Sequence, residues 1–493
     1  MEEYEHLTNG RGACQSQSSF AVQTVGESVY GLVFPRPKSG THVSAASDPS
    51  PDLKPLEQRA ESLVAAALKA GASAADAVVA LSRSTGVDVR DGQVEEIESA
   101  EDDAFALRVF VGHRSASVSA NRGGDPVALA ERAVAMAKAA PENPYAGLIG
   151  PDLLAAQLPD LDLFDPTALS MEDMTDRARA LEAASLAVRG VEKSSGASCS
   201  MGLGGTVLAT SDGFLGSWIA SRFSLSVSAL AGSGTSMERD SDYDTQRHLE
   251  DLRDPVDIGK VAGERAVRRL NPQQVETQTA NIVFDPRIAR SIVGHLAGAV
   301  NGASVARKTS FLREDLSKAI CRQHVFLVDR PHQLRGLSSR PFDAEGMLPQ
   351  DLSIVENGVL KNWLLDGATA RELGMASNAR ANRSGSGTSP GTTNLEMSAG
   401  SRSPREIMSE MGSGLYVTEV IGQGVSLLTG DYSRGASGYW IENGELTFPV
   451  SEVTVAGNLR DMFEKMEPAN DLERRFSINA PTIAIEGMTI AGR

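Results

Sequence analysis

The chain has 493 residues, with 64 acidic and 47 basic side chains, and a formal net charge of −17. That charge disfavours a general nucleic-acid-binding protein, because such proteins need a basic surface to displace counterions from phosphates. No apolar stretch reaches the ~18 residues of a membrane-spanning helix. No secretory signal is visible and the three cysteines are widely spaced, so we predict a cytoplasmic protein without disulfides or a cysteine zinc site.

Residues 1–52 differ in composition from the rest of the chain. They are rich in Ser, Pro and Gly, as in the stretches PRPKSG and SAASDPSPD. Such segments bury too little apolar surface to offset the entropy lost on ordering them. We therefore predict a poorly ordered tail, and the alternative is a strand over Ser28–Phe34 that adds to the body of the protein.

Residues 53–272 alternate between helical and extended patterns. An amphipathic helix begins at Pro55 and ends before Gly71. Short extended segments lie on both sides of Asp91-Gly92, a dipeptide typical of tight hairpins. From Phe223 to Ala229, apolar residues alternate with serines, which indicates an antiparallel strand with one buried face. Three further helices are predicted from Asp-Pro or Ser N-cap signals, starting at Pro126, Met171 and Pro255.

Residues 273–493 show a β-rich pattern with a few helices. The turns Glu356-Asn357-Gly358 and Glu442-Asn443-Gly444 lie between apolar segments, which is a strong hairpin signal. One helix is predicted from Pro286 to about Val305, and another over Pro404–Met411. The chain is therefore predicted to have an α+β fold. It comprises an N-terminal mixed α/β domain with an antiparallel sheet (53–272) and a C-terminal β-rich domain with a few helices (273–493).

The residue pattern alone indicates no catalytic site. None of the seven histidines lies in an HExxH or HxH arrangement, and no GxSxG occurs in the strand–turn–helix setting of a nucleophile elbow. The glycine-rich segment 385–391 lacks the lysine of a phosphate-binding loop. We interpret this segment as a structural or peptide-contacting loop.

Two long motifs in the C-terminal half are specific enough to identify a family. They are SPGTTNLE at Ser389–Glu396 and GDYSRGASGYWIENGE at Gly430–Glu445, and Gly92-Gln93-Val94-Glu95 and Ser211-Asp212-Gly213 accompany them upstream. From about Leu56 to its end, the chain resembles the TldD/PmbA family, and specifically its PmbA (TldE) branch. An older label for this family is modulator of DNA gyrase.

The resemblance implies a heterodimeric metallopeptidase that encloses a chamber for unfolded proteins or peptides. In that family a TldD subunit carries zinc on an HExxxH helix, with a cysteine from the C-terminal domain as a further ligand, and a TldE subunit lacks the metal site. Here the zinc motif aligns with the window from Gly294 to Ala299. Gly294 and Ala299 replace the histidine ligands, His295 stands at the glutamate position, and Gly298 lies within the same degenerate window.

The cysteine ligand of the family should lie between Ser433 and Gly438, and this segment contains none. Zinc hydrolysis needs several protein ligands besides a water molecule. The resemblance therefore implies that this chain has no catalytic residue, metal or cofactor of its own, and that zinc is held only by the partner subunit.

We predict a pseudo-metallopeptidase subunit that forms part of the chamber wall and docks a TldD-like HExxxH subunit, or forms a homodimer when isolated. Its ligand is an unfolded peptide, with no nucleic-acid or membrane partner. Polar and glycine positions in the motif segments could pair with an extended peptide backbone. These candidates are Ser386, Gly387, Thr388, Asn394, Asp431, Ser433 and Ser437.

Two alternative functions remain open at this stage. One is a stand-alone regulatory or binding protein that acts as a homodimer. The other is a hydrolase with a non-metal mechanism, for example a serine nucleophile in segment 384–391. The sequence offers no base or orienting carboxylate at a recognisable spacing for such a nucleophile.

Overall fold

The computed structural model describes residues 51–121, 124–384 and 387–493. The predicted tail of residues 1–52, with its alternative strand at Ser28–Phe34, lies outside the described residues except for its last two positions. The helices are α1 (Lys54–Lys69), α2 (Pro126–Ala139), α3 (Met171–Leu186), α4 (Pro255–Arg268), α5 (Pro286–Ala299), α6 (Gly302–Ala306), α7 (Gly367–Leu373), α8 (Pro404–Met411) and α9 (Leu459–Lys465). Within those ranges, no helix has the length and apolar character needed to cross a membrane.

The strands fall into three sheets and a separate hairpin. They are β1 (Ala74–Arg90), β2 (Gln93–Val111), β3 (Arg114–Asn121), β4 (Val191–Thr210), β5 (Leu215–Ala231), β6 (Glu238–Gln246), β7 (Gln278–Phe284), β8 (Leu327–Arg330), β9 (Leu352–Glu356), β10 (Val359–Leu360), β11 (Ala381–Ser384), β12 (Gly387–Pro390), β13 (Asn394–Met397), β14 (Ser413–Ile421), β15 (Asp431–Glu442), β16 (Glu445–Asn458), β17 (Glu467–Pro468), β18 (Ile478–Asn479) and β19 (Ile483–Ala491). The predicted α+β fold class is confirmed.

A six-stranded antiparallel sheet in the order β3-β2-β1-β4-β5-β6 organises the N-terminal part. Asp91 and Gly92, between β1 and β2, have φ angles of 51° and 72°. Positive φ at both central residues is typical of a type I′ hairpin turn, so the predicted hairpin is confirmed. The short extended segments predicted around it merge into long strands, because β1 pairs with β2 and with β4 along nearly its whole length.

Helices α1 to α4 all pack on one face of this sheet. Odd-numbered residues of β1 and β4 face them, with Ala77 and Val207 beneath α1 and α2, and Val87 and Cys199 beneath α3 and α4. Side chains alternate between the two faces of a strand. The even-numbered residues of β1 and β4 therefore form the opposite face, which is directed toward the C-terminal half.

The predicted starts of α2 to α5 are confirmed by their N-caps. In each case a side-chain oxygen accepts a hydrogen bond from a backbone N–H of the first turn, which satisfies a donor that has no partner within the helix. The capping residues of α2, α3, α4 and α5 are Asp125, Ser170, Asp254 and Asp285.

The C-terminal half contains two larger sheets. One has the order β16-β15-β14-β7-β19-β17, and pairing of β16 with β19 closes five of its strands into a ring. The other has the order β10-β9-β8-β13-β18. Helix α5 buries Ile292, Val293 and Leu296 in the main hydrophobic core, among side chains from both sheets. Both Glu-Asn-Gly turns have positive φ at Asn and Gly, which confirms the two predicted hairpins.

Helix α5 is shorter than predicted. It ends at Ala299 instead of continuing to about Val305. The backbone N–H of Gly302 donates to the carbonyl of Leu364 at 2.8 Å, and the N–H of Leu364 donates to the carbonyl of Val300 at 3.0 Å. These groups pair with a neighbouring segment, so they cannot continue the helical ladder, and Asn301 caps a new short helix, α6.

Helices α3 and α4 approach each other closely at Gly259. A Cβ at this position would lie 2.3 Å from the carbonyl oxygen of Leu181 and 2.8 Å from Cβ of Ala184. We expect Gly259→Ala to lower the free energy of unfolding by about 1–3 kcal/mol, because the two helices must separate to admit the methyl group. Chemical denaturation measures this change.

Gly294→Ala in α5 is the matched control. Its Cβ would meet only Cδ1 of Ile478, at an ordinary contact distance of 3.7 Å. Alanine is the better helix former by about 0.8–1 kcal/mol, so this substitution should leave the stability unchanged or raise it. Equal losses from the two substitutions would contradict the packing argument.

Candidate functional site

The degenerate zinc window occupies the C-terminal end of α5. His295 is half-buried, and its ring centroid lies 6.1 Å from that of Tyr432 on β15. Nε2 of His295 and the hydroxyl of Tyr432 are both buried and have no hydrogen-bond partner among the described residues. The fold therefore brings together the two segments that the family resemblance placed at one site.

The side chains at this place do not fit zinc. Gly294, Gly298 and Ala299 offer no ligand atom, and no group of three or more His, Cys, Asp or Glu side chains within the described ranges could hold a metal ion. Burial, together with the positive charge of Arg434, lowers the pKa of His295 to about 4. The same positive charge would oppose a divalent cation.

The described cysteines do not complete the ligand set. Cys199 lies on β4 beneath α3 and α4, and Cys321 is buried in the C-terminal core. Burial raises the pKa of Cys199 to about 11 and that of Cys321 further still. Metals and electrophiles react with the thiolate, so neither thiol is suited to metal binding or nucleophilic attack at neutral pH. Cys14 lies outside the described residues.

Residues 387–390 of the glycine-rich segment form β12, which pairs with β11, whereas the sequence predicted a loop there. Thr388 accepts a hydrogen bond from Nη1 of Arg108 at 2.8 Å, and Arg383 pairs with Asp76. These two contacts dock the hairpin against the N-terminal sheet. Ser386 lies outside the described residues, whereas Gly387 has open space around its Cα.

The other predicted peptide contacts lie in different environments. Asp431 and Ser433 are exposed on β15, whereas Ser437 is buried on the same strand. Asn394 is buried, and its amide accepts from the N–H of Ser338 and donates to the carbonyl of Arg330 and to Oγ of Ser339. The hydrogen bonds of Asn394 are therefore used within the fold. Peptide contact by Thr388, Asp431 and Ser433 stays a prediction.

A cavity of about 370 Å³ lies between the even-numbered face of the N-terminal sheet and the C-terminal half. Its sheet side is formed by short residues of β1 and β4, such as Ala80 and Gly204, and by Trp218 of β5. Phe342 of the C-terminal half also lines the cavity. Exposed Ser82 and Ser84 lie at its margin. Ligand sites are typically concave, largely apolar and about 300–1,000 Å³ in volume, and this cavity matches that description.

A buried ion triad borders the cavity. Arg108 donates from Nε to Oδ2 of Asp76 at 2.8 Å, and Nη2 of Arg383 lies 2.5 Å from Oδ1 of the same carboxylate. All three side chains are at least nine-tenths buried. Burial alone would raise the pKa of Asp76, but the two guanidinium groups outweigh it and hold this pKa below its usual value.

Two further carboxyl groups are buried next to the triad. Asp343 lines the cavity, and its oxygens accept backbone N–H groups from Glu345, Met347 and Ala381. Glu345 accepts the N–H of Gly367 with Oε2 at 2.7 Å, whereas Oε1 has no partner among the described residues. Burial, and secondarily the charge of Asp343, raises the pKa of Glu345 to about 8.

Sequence reasoning did not identify this polar cluster. The only available signal was a charged residue within an otherwise apolar strand, namely Asp76 in AADAVVA and Arg108 in FALRVFV. Such a residue is expected to be paired when it is buried. Nothing local indicated that its partner would be Arg383, 307 positions away from Asp76.

Comparisons with known proteins assign most of the chain to one family. The PmbA/TldA metallopeptidase domain 1, central domain and C-terminal domain match residues 75–137, 164–270 and 277–492. Metalloprotease PmbA of Escherichia coli O157:H7 is 38% identical over 441 residues, which cover 88% of this chain and 96% of that protein.

Two solved structures share the fold. A candidate modulator of DNA gyrase from Bacteroides thetaiotaomicron has a TM-score of 0.82 at 26% identity, covering 89% of this chain and 99% of its own. TldE from Thermococcus kodakarensis has a TM-score of 0.76 at 19% identity, covering 88% and 99%, and shows likeness in fold alone. The family models, together with the relative in Escherichia coli, show that this chain belongs to the PmbA/TldD metallopeptidase family.

Proposed function

We propose that this chain is the non-catalytic subunit of a heterodimeric zinc peptidase that acts on unfolded proteins or peptides in the cytoplasm. Membership of the family supplies the reaction class. The observation that carries the proposal is the composition of α5, where the zinc window offers His295 alone as a donor side chain, beside the charge of Arg434. One such donor cannot bind and activate a zinc-bound water, which requires several ligands.

In this proposal the chain contributes a wall of the peptide chamber and the surface that docks the catalytic subunit, a TldD-like HExxxH protein. The cavity between the two halves of the chain supports the first role. It combines apolar surface from Trp218 and Phe342 with polar groups and a margin open to solvent. Peptide sites commonly combine apolar pockets with a few polar groups that fix orientation.

The test uses the purified chain alone, an HExxxH family member alone, and the mixture of the two. Zinc content and cleavage of an unfolded peptide are measured for each. We expect zinc in the HExxxH protein only, and full cleavage only in the mixture, abolished by a chelator. A mixture in which the glutamate of HExxxH is changed to glutamine is the matched control and should be inactive.

Three outcomes would contradict the proposal. Zinc binding with chelator-sensitive cleavage by the lone chain would show a metal site of its own. Chelator-insensitive cleavage by the lone chain would show a non-metal hydrolase instead. If the mixture is no more active than the HExxxH protein alone, the chain is a separate binding protein, as in the alternative of a stand-alone homodimer.

A further inference from the structure

Arg383 has donors that the fold does not use. The side chain is 1% exposed and lines the cavity between the two halves of the chain. Only Nη2 is engaged, with Asp76, while Nε and Nη1 are buried and have no hydrogen-bond partner among the described residues. A buried donor without a partner is unfavourable, and a charged one more so, so these atoms are suited to a ligand that enters the cavity.

The charge around Arg383 favours an anion. Two guanidinium groups, those of Arg108 and Arg383, share the single carboxylate of Asp76. An arginine recognises a carboxylate through parallel N–H donors, and such charge-assisted pairs are stronger than neutral hydrogen bonds.

The carboxylate of Asp343 does not bond Nε or Nη1 of Arg383. It lies in the same lining, but its oxygens accept three backbone N–H groups. The rest of the lining is mainly apolar and includes Val78, Leu208 and Phe342. A ligand that fits must therefore carry a carboxylate beside an apolar group.

We propose that this cavity binds the carboxylate of a peptide, with Arg383 as its anchor and the apolar floor of β1 and β4 as the pocket for the neighbouring side chain. The carboxylate is that of the peptide C-terminus or of an acidic side chain. The assignment of the ligand as a peptide rests on the proposed function, whereas the carboxylate site rests on the geometry of Arg383.

Binding is measured on the full chain without a catalytic partner, so the result is independent of whether the chain joins an active peptidase. The probes are the peptide acetyl-Ala-Leu-Phe as a free acid, the same peptide as an amide, and acetyl-Glu-Leu-Phe as an amide. Calorimetry gives the affinity. The fluorescence of Trp218, which lines the cavity, reports where binding occurs, and Trp218→Phe removes that signal.

Two variants test the site in different ways. Arg383→Lys keeps a positive charge near Asp76 but removes the paired planar donors. Gly204→Leu fills the cavity from the sheet side without breaking an ion pair, since a Cβ there meets nothing closer than the carbonyl oxygen of Leu81 at 4.0 Å. We expect each variant to bind about tenfold to a hundredfold more weakly than the parent chain, with an unchanged melting temperature for Gly204→Leu.

The three peptides distinguish a C-terminal carboxylate from a side-chain carboxylate. Binding of the free acid alone identifies a peptide C-terminus, and binding of the glutamate-containing amide identifies an acidic side chain; either result supports the site. The site would be overturned if the amide of acetyl-Ala-Leu-Phe bound as tightly as the two carboxylate peptides. Failure of both carboxylate peptides to bind the parent chain, or equal affinity of the parent chain and the Gly204→Leu variant, would also overturn it.

Discussion

Asp76→Ala is expected to lower the free energy of unfolding by about 3–5 kcal/mol, since it leaves two buried guanidinium groups without their shared carboxylate. Asp76 is 1% exposed, as is Arg383, and Arg108 is 8% exposed. Both arginines lie where the β11–β12 hairpin meets the N-terminal sheet. Two like charges would remain close together in a region of low dielectric constant.

Denaturant unfolding followed by circular dichroism measures this loss. Arg405→Ala is the matched control, because Arg405 and Glu445 form an ion pair whose side chains are 79% and 63% exposed. Exposed pairs contribute about 0–1 kcal/mol, so this substitution should change the stability little. A loss below about 1 kcal/mol for Asp76→Ala would show that water or rearrangement compensates the arginines, and that the triad does not hold the two halves together.

Glu345→Gln is expected to stabilise the protein at alkaline pH. The pKa of Glu345 is about 8 in the folded chain, against a usual value of 4.5. Between these two values the unfolded chain has released the proton while the folded chain retains it. The stability of the parent protein therefore falls as pH rises from about 4.5 to 8, by up to about 1.4 kcal/mol per pH unit.

Glu345→Gln removes the decrease in stability with pH that Glu345 causes, because glutamine is uncharged. Glutamine can still accept the N–H of Gly367. At pH 8 we expect Glu345→Gln to be more stable than the parent by on the order of 2–4 kcal/mol, and near pH 4 to be about equal to it. Unfolding curves at pH 4, 6 and 8 measure the difference. Glu314→Gln, at a side chain that is 79% exposed, should leave the pH profile unchanged. Parallel profiles for Glu345→Gln and the parent would mean that Glu345 ionises normally in the fold.

Features that depend on a few neighbouring residues followed from the sequence. The turn at Asp91-Gly92 and the two Glu-Asn-Gly turns need positive φ, which Asn, Asp and Gly tolerate. The caps at Asp125 and Asp254 bond backbone groups within three residues. The lack of an HExxxH motif is also local, because the residues of α5 alone show it.

Features that depend on distant contacts did not follow from the sequence. Helix α5 ends early because Leu364, more than sixty residues away, takes its backbone hydrogen bonds. The segment around Thr388 is a docked hairpin because Arg108 of β2 binds it. Its glycine content, by contrast, suggested only a loop.

The sequence by itself determined the α+β class, the family and the absence of an HExxxH motif, because each depends on a local pattern or on motifs that can be read directly. Only the tertiary structure decided which buried charged groups lie next to one another. Asp76, Arg108 and Arg383 come together because one face of the N-terminal sheet packs on the C-terminal half. Burial then raises the pKa of Glu345 and leaves two donors of Arg383, a residue that lines the cavity, without a partner among the described residues. These properties exist only when both halves are folded together.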